Sequence, residues 1–279
     1  MKSVGFFQQR MQQTVMARPE AQHVLAGNRA YCNKGRGPYD SALASVCYCI
    51  CQAPMHYASF RAALDDRFGR TGADPLPNSP LVVDLGCGPG TTLFALCDWL
   101  ADRRRTSISV AYIGIDISDH LLGIAAGMVE GAALFQEPSR FILRRLVDDL
   151  EDDDISAAAS GRDGVIFALS YVLHHEFIHD MTLLAHLMRR VCRHTHGMPT
   201  WLLIQDANFP DRPDEHVPIW PEQRINDLAN QCESLGYSIV GLKTKFVAPR
   251  IIVSGDGQFT LAQAGTTNNV CHFFQKIAG

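Results

Sequence analysis

An aspartate and three closely spaced glycines are the residues of this chain whose spacing points most directly to ligand binding. The stretch Leu81 to Thr92 reads LVVDLGCGPGTT, in which an apolar run ends at Asp84 and glycines alternate at Gly86, Gly88 and Gly90. Glycine permits a positive φ and lets a ligand come close to the backbone. The helix that should follow offers unpaired N–H groups. The stretch therefore predicts a strand, a tight turn and a helix start that bind a ligand.

A second acidic residue, Asp116, ends the next apolar run, YIGID. An acid at the end of a second strand can accept hydrogen bonds from both hydroxyls of a ribose. The glycine turn carries no basic side chain, and its G-x-G-x-G spacing departs from the G-x-G-x-x-G of dinucleotide-binding folds. Together these features favour an adenosine-type ligand without phosphate. The alternative for Asp116 is a turn residue that merely ends its strand.

Two motifs carry a resemblance to a known family. VVDLGCGPGT resembles the first motif of the class I S-adenosylmethionine (SAM)-dependent methyltransferases, and YIGIDIS is similar to their second. The resemblance implies SAM as cosubstrate. By position, Asp84 would orient the loop and contact the ligand's amino group, and the backbone of Gly86 and Gly88 would pass the methionine part. Asp116 would hold the ribose, and Ile117 would flank the adenine.

The resemblance implies further polar contacts after strand three. Asp148 or Asp149 would match the polar residue that often meets the adenine amino group. The surrounding run, DDLEDDD, is equally compatible with a solvated acidic loop. Both readings stay open on the sequence.

The segment LSYVLHHEF, residues 169–177, follows strand four, where the resemblance places the residue that faces the sulfonium. Ser170 would line the cosubstrate site, and the electron-rich face of Tyr171 suits a cation. His174 and His175 are candidates for proton removal, because an unperturbed histidine has a pKa of about 6.5. Tyr171, His174 and His175 are therefore the candidate catalytic residues. Packing or helix capping is the alternative for each histidine.

Candidate substrate contacts lie in two other places. Tyr31 precedes the glycine-rich segment NKGRGPYD and Tyr39 lies within it, while Asp206 and Asn208 follow strand five. Plain packing or a dimer contact is the alternative for the first pair, so a homodimer stays open. An Asx-type turn is the alternative for the second pair.

Histidine and cysteine clusters raise the question of a metal site. His175 and His179 are spaced i, i+4 and can share a helix face. The run Cys47, Cys49 and Cys51 lacks the usual C-x₂-C spacing and a matching second pair. We interpret these cysteines as small apolar residues buried in a helix, and we expect no metal.

From Leu81 onward, strands and helices alternate, which predicts an α/β fold with a doubly wound, mostly parallel seven-stranded sheet. Residues 1–75 are predicted to form an N-terminal helical lid that binds substrate, and residues 76–279 a Rossmann-like SAM-binding domain. The predicted strands are 81–85, 108–115, 141–146, 164–170, 201–205, 237–246 and 271–277, and the predicted helices between them are 91–104, 119–130, 180–192 and 221–235.

The composition of the chain indicates which classes of binding partner to expect. The chain has 279 residues, is 47% hydrophobic and carries a net charge of −4, with no block rich in lysine and arginine. A nucleic-acid partner is disfavoured, because phosphate binding relies on clustered basic residues. No apolar run reaches about 18 residues, so no membrane span is expected. The polar start and the cysteine usage predict a cytoplasmic setting.

The resemblance implies a SAM-dependent transferase that acts on a small molecule, first of all by O- or N-methyl transfer through in-line displacement at the sulfonium methyl. Attack at the aminobutyryl γ-carbon is an alternative that releases methylthioadenosine. It would give azetidine-2-carboxylate by cyclisation, or aminocarboxypropyl transfer as in nicotianamine-synthase-like enzymes. A non-catalytic binding or partner subunit is a third reading. The sequence leaves the attacked carbon open, because alignment is a matter of geometry.

Overall fold

The computed structural model describes residues 5–26, 39–69, 76–104, 108–136, 138–172 and 181–207, and toward the C-terminus residues 230, 236, 238–243, 246–248, 251–253, 259–261, 265–267 and 269–276. Within these ranges the helices are α1 (Gly5–Thr14), α2 (Pro19–Leu25), α3 (Ala42–Cys51), α4 (Ala53–Phe68), α5 (Thr91–Arg104), α6 (Asp119–Val129), α7 (Asp152–Ala159) and α8 (Met181–His194). The strands are β1 (Pro80–Leu85), β2 (Ala111–Ile115), β3 (Arg140–Arg144), β4 (Gly164–Ser170), β5 (Thr200–Ala207), β6 (Ser238–Lys243), β7 (Phe246–Ala248), β8 (Ile251–Val253), β9 (Phe259–Leu261), β10 (Gly265–Thr267) and β11 (Asn269–Lys276).

The main sheet has the strand order β3-β2-β1-β4-β5-β11-β6. Strands β1 to β5 pair in parallel, and β11 lies antiparallel between β5 and β6. Six strands therefore run in one direction and the last strand of the chain runs against them. The predicted α/β class and the doubly wound, mostly parallel sheet are confirmed. Two short antiparallel ladders, β7 with β10 and β8 with β9, lie apart from this sheet.

Both faces of the sheet are covered, as buried parallel strands require. Along β1, Val82 packs into the core formed with α1, α3, α4, α5 and α6, whereas Val83 and Leu85 pack into the core formed with α7 and α8. The alternation follows from the two-residue period of a strand. Asp84 therefore points to the same side as Val82, toward the layer of the N-terminal helices.

Several element boundaries differ from the sequence prediction. Strand β2 begins at Ala111 rather than 108, because Ile108 forms only an isolated bridge with Phe135. The predicted strand 237–246 is divided between β6 and β7. Most of the predicted helix 221–235 lies outside the described residues, so it stays a prediction.

The acidic run is not a solvated loop throughout, which corrects that reading. Asp152, Asp153 and Asp154 form the first turn of α7, where the positive end of the helix dipole stabilises carboxylates. Glu151 caps this helix, and the Asp154 side chain accepts a hydrogen bond from the Glu151 N–H at 3.4 Å. The second half of the run is therefore a helix start rather than a loop, although Asp152 and Asp153 stay exposed to solvent.

The helical stretch that follows the glycine-rich segment is broken at Gln52. Pro54 stands in the first turn of α4. Proline has no N–H with which to continue the hydrogen bonds of α3, but it is well tolerated at a helix start. Ser41 caps α3 by accepting the Ala44 N–H at 3.2 Å. On either side of the break, both helices bury apolar side chains in the same core.

A buried carboxylate attaches the N-terminal helices to α5. Asp98 is only 3% exposed, and it accepts hydrogen bonds from the Tyr57 hydroxyl at 2.7 Å and from the N–H groups of Phe6 and Phe7 at 3.4 Å. The latter two belong to the first turn of α1, where a carboxylate is favoured. Burial raises the pKa of Asp98, while the Tyr57 hydroxyl and Arg61 lower it.

We expect Asp98→Ala to lower the free energy of unfolding by about 3 kcal/mol, because it leaves buried donors without an acceptor. Asp98→Asn keeps a carbonyl oxygen for Tyr57 and removes a buried charge, so its cost should be about 1 kcal/mol. Urea unfolding measures both. Asp119→Ala, at a carboxylate of α6 whose side chain is 73% exposed, is the control and should stay within about 0.5 kcal/mol of the parent chain. Equal losses of unfolding free energy in Asp98→Ala and Asp98→Asn would contradict the role of the Asp98 side-chain oxygen as the acceptor for Tyr57.

None of the described helices combines the length and the apolar character that crossing a membrane requires.

Candidate functional site

The glycine turn lies at the carboxyl end of β1, between the ends of β2 and β4. Gly86, Gly88 and Gly90 have φ values of 71°, 52° and 80°, which side chains other than glycine rarely adopt. A Cβ on Gly86 would also lie 2.0 Å from Cγ1 of Val172. The strand order reverses between β1 and β4, which is where open α/β sheets bind ligands. The predicted turn is therefore present and stands at the binding position of the fold.

Asp116 fixes this turn to the end of β2. Its Oδ2 accepts the Gly88 N–H at 2.8 Å, and its Oδ1 accepts the Ser118 N–H at 2.9 Å. Ser118 is the N-cap of α6 and also donates through its hydroxyl to the Tyr39 carbonyl at 2.6 Å. Each carboxylate oxygen has two lone pairs. A second hydrogen bond to each oxygen, such as one from a ribose hydroxyl, is therefore compatible with this arrangement.

Asp84 is fully buried beneath the turn. Its Oδ2 accepts the Tyr112 hydroxyl at 3.0 Å, while its Oδ1 has no hydrogen-bond partner among the described residues. Burial raises the pKa of Asp84 to about 8; the Tyr112 hydroxyl lowers it, and the nearby charge of Asp116 raises it. A buried oxygen without a donor fits a ligand cation nearby, because a cation would stabilise the charged carboxylate.

Tyr171 is held in an unusual conformation just after β4. Its φ is 58°, and it is the one described residue other than glycine with a positive φ. Its N–H donates to the Gln205 carbonyl at 2.8 Å. Its hydroxyl donates to Oγ of Ser59 at 3.1 Å, and Nε2 of Gln205 donates to both hydroxyls, at 2.6 Å to Ser59 and 3.2 Å to Tyr171. Such strain persists when the surroundings impose it, and it is concentrated at functional sites.

Two side chains from the N-terminal helices complete this cluster. The His56 ring stacks on the Tyr171 ring with centroids 3.7 Å apart and planes 10° from parallel. The Tyr48 hydroxyl lies 2.9 Å from Nδ1 of His56. A Cβ on Gly88 would be 3.6 Å from the Tyr48 ring. The sequence interpretation missed Tyr48, His56 and Ser59 as site residues, because no local motif marks them.

The remaining predicted site residues differ in their exposure to solvent. Ile117 is 44% exposed beside Asp116, where a planar ligand can reach it. Asp148 and Asp149 are exposed in a short 3-10 helix, and Asp149 accepts the Leu146 N–H at 2.9 Å. Ser170 ends β4 in register with Gln205.

The predicted substrate contacts are only partly described. Tyr39 is 9% exposed, and its ring lies 4.7 Å from that of Tyr48. Asp206 is fully buried in β5, in register with Val270 of β11. Several residues lie outside the described part of the chain, so their roles stay predictions: Tyr31, His174, His175, His179 and Asn208.

The cysteine run lies in α3, as predicted. Cys47 and Cys49 are buried and Cys51 is partly buried, and all three are free thiols. Within the residues that the structure describes, no three or more histidine, cysteine or acidic side chains converge as metal ligands.

The strand order decides the fold. β3-β2-β1-β4-β5 continues to β6, with the antiparallel β11 inserted before it. The glycine turn follows β1 and the acid follows β2, as the sequence motifs require. The chain has the doubly wound, Rossmann-like α/β fold that the sequence predicts. In this fold the end of β4, with Ser170 and Tyr171, lies at the same edge of the sheet as the glycine turn.

Comparisons with known proteins found only distant likenesses. No protein-family profile matches the chain, and no curated protein matches it. Among solved structures, it is similar to a SAM-dependent methyltransferase from Anabaena variabilis, with 15% identity over 93% of this chain and 96% of that one, at a TM-score of 0.41.

Two further solved structures are similar at the same level. Magnesium protoporphyrin IX methyltransferase from Synechocystis PCC 6803, with bound SAH, shares 14% identity over 90% of this chain and 94% of that one, at a TM-score of 0.43. A mitomycin 7-O-methyltransferase shares 13% identity over 94% of this chain and 70% of that one, at a TM-score of 0.47. Likenesses this distant carry no argument about the substrate of this chain.

Proposed function

We propose that the protein binds SAM and transfers its methyl group to an oxygen or nitrogen of a small molecule. The observation that carries the proposal is the bond between Asp116 and the Gly88 N–H, which joins the acid to the glycine turn. This pairing brings a ribose acceptor beside a turn that a ligand backbone can approach. The turn has no basic side chain, which favours a ligand without phosphate.

Each part of SAM has a matching group at this edge of the sheet. Asp116 would accept the ribose hydroxyls, and the exposed Ile117 would lie against the adenine. The turn at Gly86 and Gly88 would pass the methionine part, and the charge of its ammonium would be compensated by Asp84. The Tyr171 ring would meet the sulfonium, which an aromatic face attracts.

The chain's own contribution to the reaction would be proximity and alignment. Holding the acceptor in line with the sulfur–methyl bond can supply about 7–11 kcal/mol of the barrier. The N-terminal helices α3 and α4 would act as the lid over this site. Their contacts with Gly88 and Tyr171 support this role, because they bring Tyr48, His56 and Ser59 to the switch point. A lid excludes water from the reacting groups.

Titration calorimetry with SAM and with ATP tests the choice of ligand. We expect SAM to bind with a micromolar Kd and ATP to bind at least 50-fold more weakly, because no cation in the turn compensates its phosphates. Tight ATP binding together with no SAM binding would overturn the proposal.

Product analysis tests the reaction. The protein is incubated with SAM alone and with a panel of small hydroxyl and amine acceptors, and the products are separated by chromatography. S-adenosylhomocysteine formed only with an acceptor is the expected result. Methylthioadenosine formed from SAM alone would instead indicate attack at the aminobutyryl γ-carbon. SAM that binds and stays unconsumed throughout would support a binding subunit.

A further inference from the structure

We infer that His56, on the N-terminal helix α4, is a positioning residue that sets the ring of Tyr171 against the sulfonium of bound SAM. The inference rests on the proposed function, since it concerns how the same site recognises the charge of its ligand. It gives the N-terminal helices a part in building the site as well as covering it.

The backbone of Tyr171 is strained. A tyrosine at a φ of 58° costs about 1–3 kcal/mol, and it persists only when surrounding contacts impose it. Two such contacts come from one face of α4. Ser59 accepts from the Tyr171 hydroxyl, and His56 stacks on its ring. Residues three apart lie on the same side of a helix. One face of α4 therefore contacts both the hydroxyl and the ring of Tyr171.

The His56 ring is itself fixed. The Tyr48 hydroxyl lies 2.9 Å from Nδ1 of His56, with ring centroids 5.6 Å apart in an edge-to-face arrangement. Burial raises the pKa of Tyr48, so its hydroxyl keeps its proton for this bond. A Cβ on Gly88 would lie 3.6 Å from the Tyr48 ring, so this ring stands beside the glycine turn. Contacts then run from Tyr48 through His56 to Tyr171.

The stack decides which side of Tyr171 a ligand can meet. His56 covers one face of the ring at 3.7 Å, so a sulfonium can approach only the other face. Removing the imidazole takes away the contact that fixes the plane of the ring, although Ser59 and Gln205 still hold its hydroxyl, so the ring can turn its face away from the ligand. The attraction for a positive charge should then weaken, while the contacts of Asp116 and of the glycine turn with the uncharged parts of the ligand remain. The affected quantity is the preference for SAM over its neutral product, S-adenosylhomocysteine.

The test measures the Kd of both SAM and S-adenosylhomocysteine by calorimetry in the full chain and in three variants. His56→Ala should lower the preference for SAM about fivefold, the size expected for a cation–π contact. His56→Phe keeps a flat ring on Tyr171. The logarithm of its preference for SAM should therefore recover at least half of the loss seen in His56→Ala. His186→Ala, at an exposed histidine of α8, is the control and should match the parent chain.

The ratio of the Kd values for SAM and S-adenosylhomocysteine distinguishes a positioning role of His56 from a general structural one. If His56→Ala weakens both ligands by the same factor, or leaves both unchanged, the inference is wrong and the proposed function stands. A His56→Phe variant with the same loss as His56→Ala would also overturn it, because the stacked ring would then not be what matters. If the parent chain binds neither ligand, the proposed function itself fails.

Discussion

Asp116→Ala should weaken SAM binding by roughly 100- to 1,000-fold. The carboxylate already accepts the Gly88 and Ser118 N–H groups, and it would accept the two ribose hydroxyls of the ligand. A hydrogen bond to a charged group contributes about 1.5–3 kcal/mol. Loss of two such bonds, each near the lower end of this range, amounts to about 3–4 kcal/mol, which corresponds to the stated change in Kd.

The variant also loosens the turn that the ligand must approach. Without the carboxylate, the Gly88 N–H has no side-chain acceptor, so the glycine turn is no longer joined to the end of β2. We expect a loss of about 1–2 kcal/mol in the free energy of unfolding, which leaves the chain folded. Asp116→Asn keeps one acceptor oxygen but sets an NH₂ group against a backbone N–H, so its SAM affinity should lie between those of Ala and the parent chain.

Asp119 offers a matched control three residues further along. Its side chain is 73% exposed, and its closest ion-pair partner is Arg145 at 4.0 Å. Asp119→Ala changes the same charge at the start of α6 without touching the turn, so its Kd for SAM should stay within about twofold of the parent. Calorimetry on all four proteins, with unfolding curves beside it, makes the comparison. Equal SAM affinity in the two Ala variants would remove Asp116 from the binding site.

The parts of the site that the sequence predicted are those set by local chain geometry. Alternating glycines after an apolar run require a turn, and this requirement lies within a few residues of Gly86. The acid that ends β2 follows from the same logic, because parallel neighbouring strands bring their carboxyl ends to one edge. The predicted bounds of α5 were also correct, since Thr91 to Arg104 follows the turn without an interruption.

The contacts of Tyr171 could not be predicted in this way. Ser59 is 112 residues from Tyr171 in sequence and 146 from Gln205. Their meeting depends on how α4 packs on the sheet, which no short pattern encodes. Tyr48 and His56 stand on two helices separated by the break at Gln52, so no helical spacing joins them. The strain at Tyr171 likewise results from tertiary contacts, because the local sequence gives a tyrosine no reason to adopt a positive φ.

The correction at the acidic run has a similar origin. A block of carboxylates suggests repulsion and solvation when it is considered alone. In the fold, Arg144 pairs with Asp154 at 2.5 Å and Arg190 pairs with Asp152 at 2.8 Å. These partners come from β3 and α8, and the helix dipole adds to them. Long-range charge pairing thus turns a run that favours a loop into a helix start.

The stability of the protein should fall between pH 6 and pH 8 because of Asp84. Burial raises the pKa of this carboxyl to about 8, against 3.8 for a solvent-exposed aspartate such as the unfolded chain presents. The folded state therefore holds a proton that the unfolded state releases, so stability decreases as pH rises toward the folded pKa. The contribution of this one group over the interval is about 2 kcal/mol. Below about pH 4 both states are protonated and the effect vanishes.

Asp84→Asn isolates this contribution. The asparagine carbonyl still accepts the Tyr112 hydroxyl, but the buried group no longer titrates. The difference in unfolding free energy between variant and parent should grow in favour of the variant by about 2 kcal/mol from pH 6 to pH 8, as measured by urea unfolding at each pH. Asp119→Asn, at the exposed carboxylate, should keep the parent's pH dependence. A difference that does not change with pH would mean that the Asp84 carboxyl is ionised throughout.

The same group should link SAM binding to proton release. An ammonium near the unpartnered Oδ1 of Asp84 favours the charged carboxylate and lowers its pKa. Binding at pH 7 should then release a fraction of a proton, which calorimetry detects as a binding enthalpy that depends on the ionisation enthalpy of the buffer. Asp84→Asn should abolish that part of the dependence while Asp119→Asn keeps it. Because stability and binding report on one carboxyl, agreement of the two measurements would place Asp84 at the ammonium of the ligand, and a pH-dependent stability without proton release would place the ammonium elsewhere.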